Sequence, residues 1–174
     1  MTGEVTIVSR QNERIREAKR LVQKKYRDQT GRFLVEGVRL VEEALEASLA
    51  EQLFFTERLL NSDRGKALIH RAHRQGLEVF SCSEAVLDEL TDTVHAQGVA
   101  AIARKPSWPA PAEGLLVIAD EIQDPGNMGT LLRTAVAVGV QGLLAVKGSV
   151  DLYSPKVVRA SMGAVFQLPH WMAE

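Results

Sequence analysis

The residues best equipped for chemistry are Asp120, Glu121, Asp124, Asn127 and Arg133, which fall close together in the segment DEIQDPGNMGTLLRTAVAVG from Asp120 to Gly139. Carboxylates accept hydrogen bonds, an amide both donates and accepts, and a guanidinium presents a planar fork of donors that matches phosphate or carboxylate. Their order says how they would be held. Leu115, Leu116, Val117, Ile118 and Ala119 form a short apolar run, which predicts a strand covered on both faces. Asp124, Pro125, Gly126 and Asn127 supply a turn and a helix cap. Met128, Leu131, Leu132, Ala135 and Gly139 then recur at helical spacing as one apolar stripe. Arg133 lies five residues after Met128, and at about 100° per residue it points well away from that stripe. It is either a solvated surface group or a group aimed at an anion outside the helix. In open α/β sheets, ligands collect at the carboxyl ends of strands, where helix N-termini offer unpaired N–H groups and a partial positive charge. A phosphate or a ribose suits such a place.

A second constellation follows in DLYSPKVVRASMGAVFQLP, from Asp151 to Pro169. Ser154 and Pro155 read as a helix start, with Pro where its missing N–H costs nothing. Lys156 and Arg159 are placed to meet phosphates or to be solvated. Ser161 and Gly163 allow close backbone approach, with Gly163 equally readable as a helix C-cap, and Ala164 to Leu168 is the predicted next strand.

At these two segments the chain resembles the SpoU (TrmH-type) family of RNA ribose methyltransferases, members of the knotted SPOUT superfamily. The first family motif is matched by Asn127, Gly129, Arg133, Thr134, Ala135 and Gly139, and the second by Ser154, Pro155, Lys156, Arg159, Ala160, Ser161, Gly163, Ala164 and Phe166. Upstream, residues from about Arg10 to Arg104 are similar to the small substrate-binding domain that many of these enzymes carry, through Phe33, Leu34, Val35, Glu36 and Gly37 followed by a helix. The resemblance implies an α/β protein: a small α/β sandwich that binds RNA, then the first part of an α/β knot methylase domain. It further implies S-adenosylmethionine as methyl donor, a ribose 2′-hydroxyl of RNA, ribosomal RNA for preference, as acceptor, and pairing of two chains through the methylase domain. Asn127 and Arg133 are the implied catalytic residues, and Lys156, Arg159 and Ser161 the implied substrate contacts of the second motif. One departure matters. Family members carry a third motif of the type NEGxG, which is absent here, so the resemblance implies an amino-terminal portion whose cofactor contacts are expected beyond Glu174. A non-catalytic RNA-binding module is the alternative. A dinucleotide-binding protein is disfavoured, since Gly126 and Gly129 lack the GxGxxG spacing and no P-loop Lys is present.

The formal net charge of −1 hides an asymmetry: Arg10 to Arg32 holds nine basic residues against three acidic ones, a surplus of six, leaving −7 on the rest of the chain. A basic stripe on an otherwise acidic protein is the footprint of a polyanion partner, with Arg10, Arg14, Lys19, Lys24 and Lys25 as candidate RNA contacts. The bland counterpart is a solvated helix face with ion pairs along it. Only Tyr26 and Phe33 interleave with these charges, which favours backbone and shape readout over stacking on bases.

Three further readings bound the function. No apolar run approaches the roughly 18 residues of a spanning helix, and no signal-peptide pattern opens the chain, so no membrane role is expected. Cys82, the single cysteine, permits no internal disulfide and suits the cytoplasm; it reads as a buried small residue. His70 and His73 share one predicted helix without a third ligand nearby, which makes a metal site unexpected. The periodicity predicts a helix from Asn12 to about Tyr26, strands at Phe33–Glu36, Leu53–Thr56, Leu77–Phe80 and Val99–Ala103, and helices after Gly37, over Lys66–Gln75 and after Ser83. The domains read as 1–104 and 113–174, joined by the proline-bearing stretch 105–112. Strands 115–119, 142–146 and 164–168 would show open edges and apolar surface, favouring association.

Overall fold

The computed structural model describes residues 6–91, 97–109 and 113–173, in two compact units, 1–104 and 105–174.

The first unit is a sheet between helices. Asn12 accepts the Arg14 N–H at 3.0 Å and starts α1 (Glu13–Arg20); α2 (Lys24–Thr30) follows, then β1 (Arg32–Glu36), α3 (Val38–Glu46), β2 (Ala50–Phe55), α4 (Asp63–Arg74), β3 (Glu78–Ser81), α5 (Glu84–Leu87) and β4 (Val99–Arg104). The sheet order is β1-β4-β2-β3, with β4 antiparallel to both neighbours and β2 parallel to β3. Alternation along the strands builds the core: Leu34, Phe54, Ala100 and Ile102 pack with Ile15, Ala18 and Leu21 of α1 and Val86 and Leu87 of α5.

The single helix expected from Asn12 to Tyr26 is in fact two. After Arg20 the chain tightens, with Leu21, Val22 and Gln23 each donating to a carbonyl three residues back. Arg27, buried within α2, donates to the Leu21 and Val22 carbonyls at 2.7 and 2.6 Å. Carbonyls at a helix end need partners, and a buried guanidinium meets them here. Arg27 therefore belongs to the fold, although it counts toward the basic surplus.

The second unit is a three-stranded parallel sheet, β5 (Leu116–Ala119), β6 (Gly142–Ala145) and β7 (His170–Met172), in sequential order, with α6 (Pro125–Ala137) between the first two and α7 (Pro155–Ser161) between the last two. Two expectations are corrected. Residues 164–168 do not form a strand: Met162 and Gly163 both take left-handed conformations after α7, Ala164–Phe166 coil into a 3-10 turn, and the strand forms at His170. The apolar run before Asp120 is not covered on both faces either. β5 is an edge strand, and Leu116 and Ile118 are 43% and 66% exposed, while central β6 keeps Leu143 and Ala145 fully buried.

The start of the proline-bearing stretch folds with this unit. The Trp108 carbonyl accepts the Trp171 indole N–H at 3.3 Å, the Trp108 ring lies against His170, and Lys105 sits over the Tyr153 ring. His170 is buried; its Nδ1 donates to the Leu168 carbonyl and its Nε2 accepts from the Tyr153 hydroxyl, each at 2.7 Å. Both bonds suit a neutral ring, and burial lowers the His170 pKa from its ordinary value, offset in part by the Leu168 hydrogen bond.

α6 and α7 cross at Gly129, where an added Cβ would stand 2.3 Å from the Ala160 Cβ and 2.6 and 2.9 Å from its backbone C and Cα.

Two predictions follow from this packing. Gly129→Ala costs about 1–3 kcal/mol by overpacking, read from the denaturant midpoint. Ala160→Gly added to it does not restore the loss, because the backbone clash persists; full rescue would contradict the geometry. Separately, the unfolded chain binds a proton at His170 more readily than the folded one, so stability is complete above the ordinary histidine pKa of about 6.5 and is lost as pH falls below it. Trp108 and Trp171, the only tryptophans, report this unit alone: their unfolding midpoint should drop between about pH 7 and about pH 5, and a flat profile refutes the assignment.

Candidate functional site

The start of α6 is built as its sequence implies, with one change of role. Asp124 is the N-cap, its carboxylate accepting the Asn127 N–H at 2.8 Å, and Pro125 occupies the first helical position. Asn127 thus contributes its backbone to the cap, and its side chain is exposed. Met128, Gly129, Leu132 and Ala135 face the interior. Gly139 is exposed and left-handed just past the helix, so it ends α6 and does not extend the stripe. Arg133 is exposed, away from the buried stripe, and has no ion-pair partner among the described residues.

The loops after β5 and β6 are tied together at the carboxyl ends of the strands. Val146 N–H donates to the Ala119 carbonyl at 3.0 Å; the Ser149 hydroxyl donates to the same carbonyl and accepts the Ile122 N–H; Val150 N–H donates to the Ile122 carbonyl. Asp120 and Glu121 are exposed there, and Glu121 holds a left-handed φ of 49°, with its side chain against Gly148. The Ile122, Val146, Ser149 and Val150 N–H groups at this tip are thus bonded within the protein, and the Asp120, Glu121 and Lys147 side chains are exposed beside them.

Ser154 caps α7 through its hydroxyl on the Val157 N–H, and Lys156 in the first turn is exposed. Arg159 is half-buried. Ser161 differs from its expected role: it is fully buried and its hydroxyl donates to the Val158 carbonyl at 2.7 Å, so it closes the helix and presents no free donor to a substrate.

In the first unit the basic stripe divides. Arg10 pairs with Glu89 at 3.2 Å, Lys19 hydrogen-bonds the same carboxylate, Arg14 reaches Glu78 at 3.8 Å and lies over the Phe80 ring, and Lys24 pairs with Asp28 at 2.7 Å. The Lys19 hydrogen bond and charge hold the Glu89 carboxyl below the usual carboxylate range. Such exposed pairs contribute little stability, but each lowers the free positive charge offered to a partner. Lys25, Arg16 and Arg20 are exposed and have no ion-pair partner among the described residues.

Other candidate chemistry is quiet. Cys82 is buried, and burial pushes its thiol up to about 11, which removes the nucleophilic thiolate. Among the described residues no group of three His, Cys, Asp or Glu side chains is placed to hold a metal ion, and no helix is long and apolar enough to cross a membrane. His70 and His73 lie on exposed positions of α4, and His95 lies outside the described residues.

Residues 12–101 match the family described as MRM3-like substrate binding domain, and residues 114–174 match the SpoU rRNA Methylase family. The chain is 32% identical over 165 residues to the 23S rRNA (guanosine(2553)-2′-O)-methyltransferase RlmP of Bacillus subtilis, covering 94% of this chain and 63% of that protein. It is 35% identical over 158 residues to the human mitochondrial rRNA methyltransferase 3, covering 83% of this chain and 36% of that one. The crystal structure of an AdoMet-bound rRNA methyltransferase from Sinorhizobium meliloti superposes with a TM-score of 0.82 at 31% identity, over 97% of this chain and 64% of that one. The chain therefore spans less than two thirds of each of these relatives.

Proposed function

The chain belongs to the SpoU rRNA methylase family, with an MRM3-like substrate binding domain ahead of its methylase segment, and on that premise we propose that it serves the transfer of a methyl group from S-adenosylmethionine to a ribose 2′-hydroxyl of ribosomal RNA, in the cytoplasm. The observation that supports this reading is the exposed Arg133, without an ion-pair partner among the described residues, on a helix whose start, cap and packing are otherwise accounted for. Ribose methylation needs a hydroxyl held in line with the methyl donor, and positioning supplies much of the rate. A guanidinium has no acceptor and holds its proton, so it does not act as a base. In this reading the Arg133 fork clamps an RNA phosphate beside the target ribose and its charge eases ionisation of the hydroxyl, whose proton passes to water or a phosphate oxygen. Asn127 acts beside it through the loop and helix start, and Lys156 and Arg159 add backbone contacts.

S-adenosylmethionine supplies the methyl group when bound. At the strand tips the Ile122, Val146 and Val150 amides and the Ser149 hydroxyl are bonded within the protein, while the exposed Asp120 and Glu121 carboxylates would accept hydroxyl or amino donors of an adenosyl group. In the first unit, the exposed Lys25 would hold the RNA backbone. Pairing of two chains through the second unit, which the resemblance implies, would cover apolar surface such as Leu116 and Ile118 of β5.

Three measurements test this reading. The chain is incubated with labelled S-adenosylmethionine and unmodified rRNA: an alkali-resistant linkage at one ribose is expected, a label on a base overturns the assignment, and RNA affinity without transfer favours a binding module. Arg133→Lys keeps the charge but removes the fork, and should weaken RNA binding about tenfold, the scale of a charge-assisted pair; near-normal affinity contradicts the clamp. In the salt dependence of RNA binding, Lys25→Ala should lower the slope by about one. Lys19→Ala, whose ammonium is already held by Glu89, should change it less, and the reverse order would sink the partition of charges.

A further inference from the structure

The outward face of α1 carries Glu13, Arg16, Glu17 and Arg20, spaced i, i+3, i+4 and i+7, and Tyr26 from α2 closes the space beside them. Together these five residues line a groove of about 380 Å³, within the range of pockets that hold small ligands. Their states differ in a way that matters. The Arg20 guanidinium lies over the Tyr26 ring, 4.0 Å from its centroid, on an exposed side chain. Glu17 is anchored by Arg32 at 3.1 Å. Glu13 and Arg16 are exposed and have no ion-pair partner among the described residues. The groove thus offers a cation–aromatic pair and, among the described residues, one carboxylate and one guanidinium without an ion-pair partner.

Each of these matches a different part of one nucleotide. Bases stack on aromatic rings and on guanidinium planes, and a free guanidinium clamps phosphate. A carboxylate repels the backbone but accepts two adjacent N–H donors, and among the four bases only guanine presents two adjacent donors on its Watson–Crick edge. A plain polyanion surface has no use for an unpaired carboxylate at its centre.

Resting on the reading that this chain binds RNA, we propose that the α1–α2 groove takes a single unpaired guanosine of the RNA, its base stacked on the Arg20–Tyr26 pair, its Watson–Crick edge read by Glu13 and its phosphate met by Arg16. The first unit then reads sequence at one point as well as gripping the backbone. It changes the expectation from composition alone, which disfavoured stacking: one aromatic suffices when an arginine extends its plane.

The test uses the whole chain and short single-stranded oligouridylates carrying one central guanosine, adenosine or cytidine, or none. The wild-type chain should bind the guanosine-bearing strand about tenfold more tightly than oligouridylate, the scale of a bidentate base contact. Glu13→Gln should erase that preference and leave oligouridylate affinity within about twofold, since no phosphate contact is removed. Arg20→Ala should weaken every strand about tenfold, the scale of one stacked base, and Arg20→Lys should recover little, which separates plane from charge. Equal affinity of the wild type for all four strands, or a guanosine preference that survives Glu13→Gln, overturns the groove while leaving RNA binding intact. Absence of salt-dependent binding to any RNA, rRNA included, overturns the underlying reading as well.

Discussion

Much of the second unit depends on how closely α6 and α7 approach at Gly129. An ordinary side chain there would collide with Ala160, backbone included, so the crossing exists only because position 129 has no Cβ. Close packing of this kind transmits position rigidly. With Met128 and Leu132 of one helix and Val157 and Val158 of the other fully or almost fully buried, two helices with their own caps and N-terminal prolines form one body, and Arg133 and Lys156 project from it. Cations mounted on packed helices are held more narrowly than cations on loops, which is what in-line attack by a ribose hydroxyl requires.

The first unit solves a different problem with the same residue type. A protein of net charge −1 that meets a polyanion must concentrate its cations, and concentrated cations repel one another. Glu89, Glu78 and Asp28 sit among them and hold Arg10, Lys19, Arg14 and Lys24 in fixed pairs. Arg27 is withdrawn altogether to close α1. The count of basic residues therefore overstates the free charge.

Local chemistry was the legible part of this chain. Asn12, Asp124 and Ser154 cap helices where their side chains and spacing say they should, and the β1, β2, β3 and β4 runs fall within a few residues of their apolar patterns. What was illegible depends on partners distant in sequence or on a backbone state. The break at Leu21 needs the buried Arg27, which reads as a surface cation until its neighbours are known. Residues 164–168 carry a strand-like composition, yet the left-handed Met162 and Gly163 redirect them into a tight turn. Ser161 shares a motif with exposed residues, and only helix phase and burial reveal that its hydroxyl is bonded inward. Gly129 was legible as a motif residue but not as the contact that sets the helix crossing.

On the proposed reading, RNA binding would make different demands on the two units, whose cations are arranged differently. Phosphate contacts in the first unit would, on that reading, act through charge, tolerate displacement of an ångström or more, and weaken together as salt rises. A guanidinium beside a reacting ribose gains its effect from alignment, where a small misplacement costs far more than the loss of a distant phosphate contact. On the proposed reading, cations of the α1–α2 surface without an ion-pair partner among the described residues would supply affinity, and alignment at the ribose would come from elements that cannot shift. The α6–α7 pair, closed by a glycine and made of two proline-started helices, is such an element, and Arg133 and Lys156 are exposed cations that it carries.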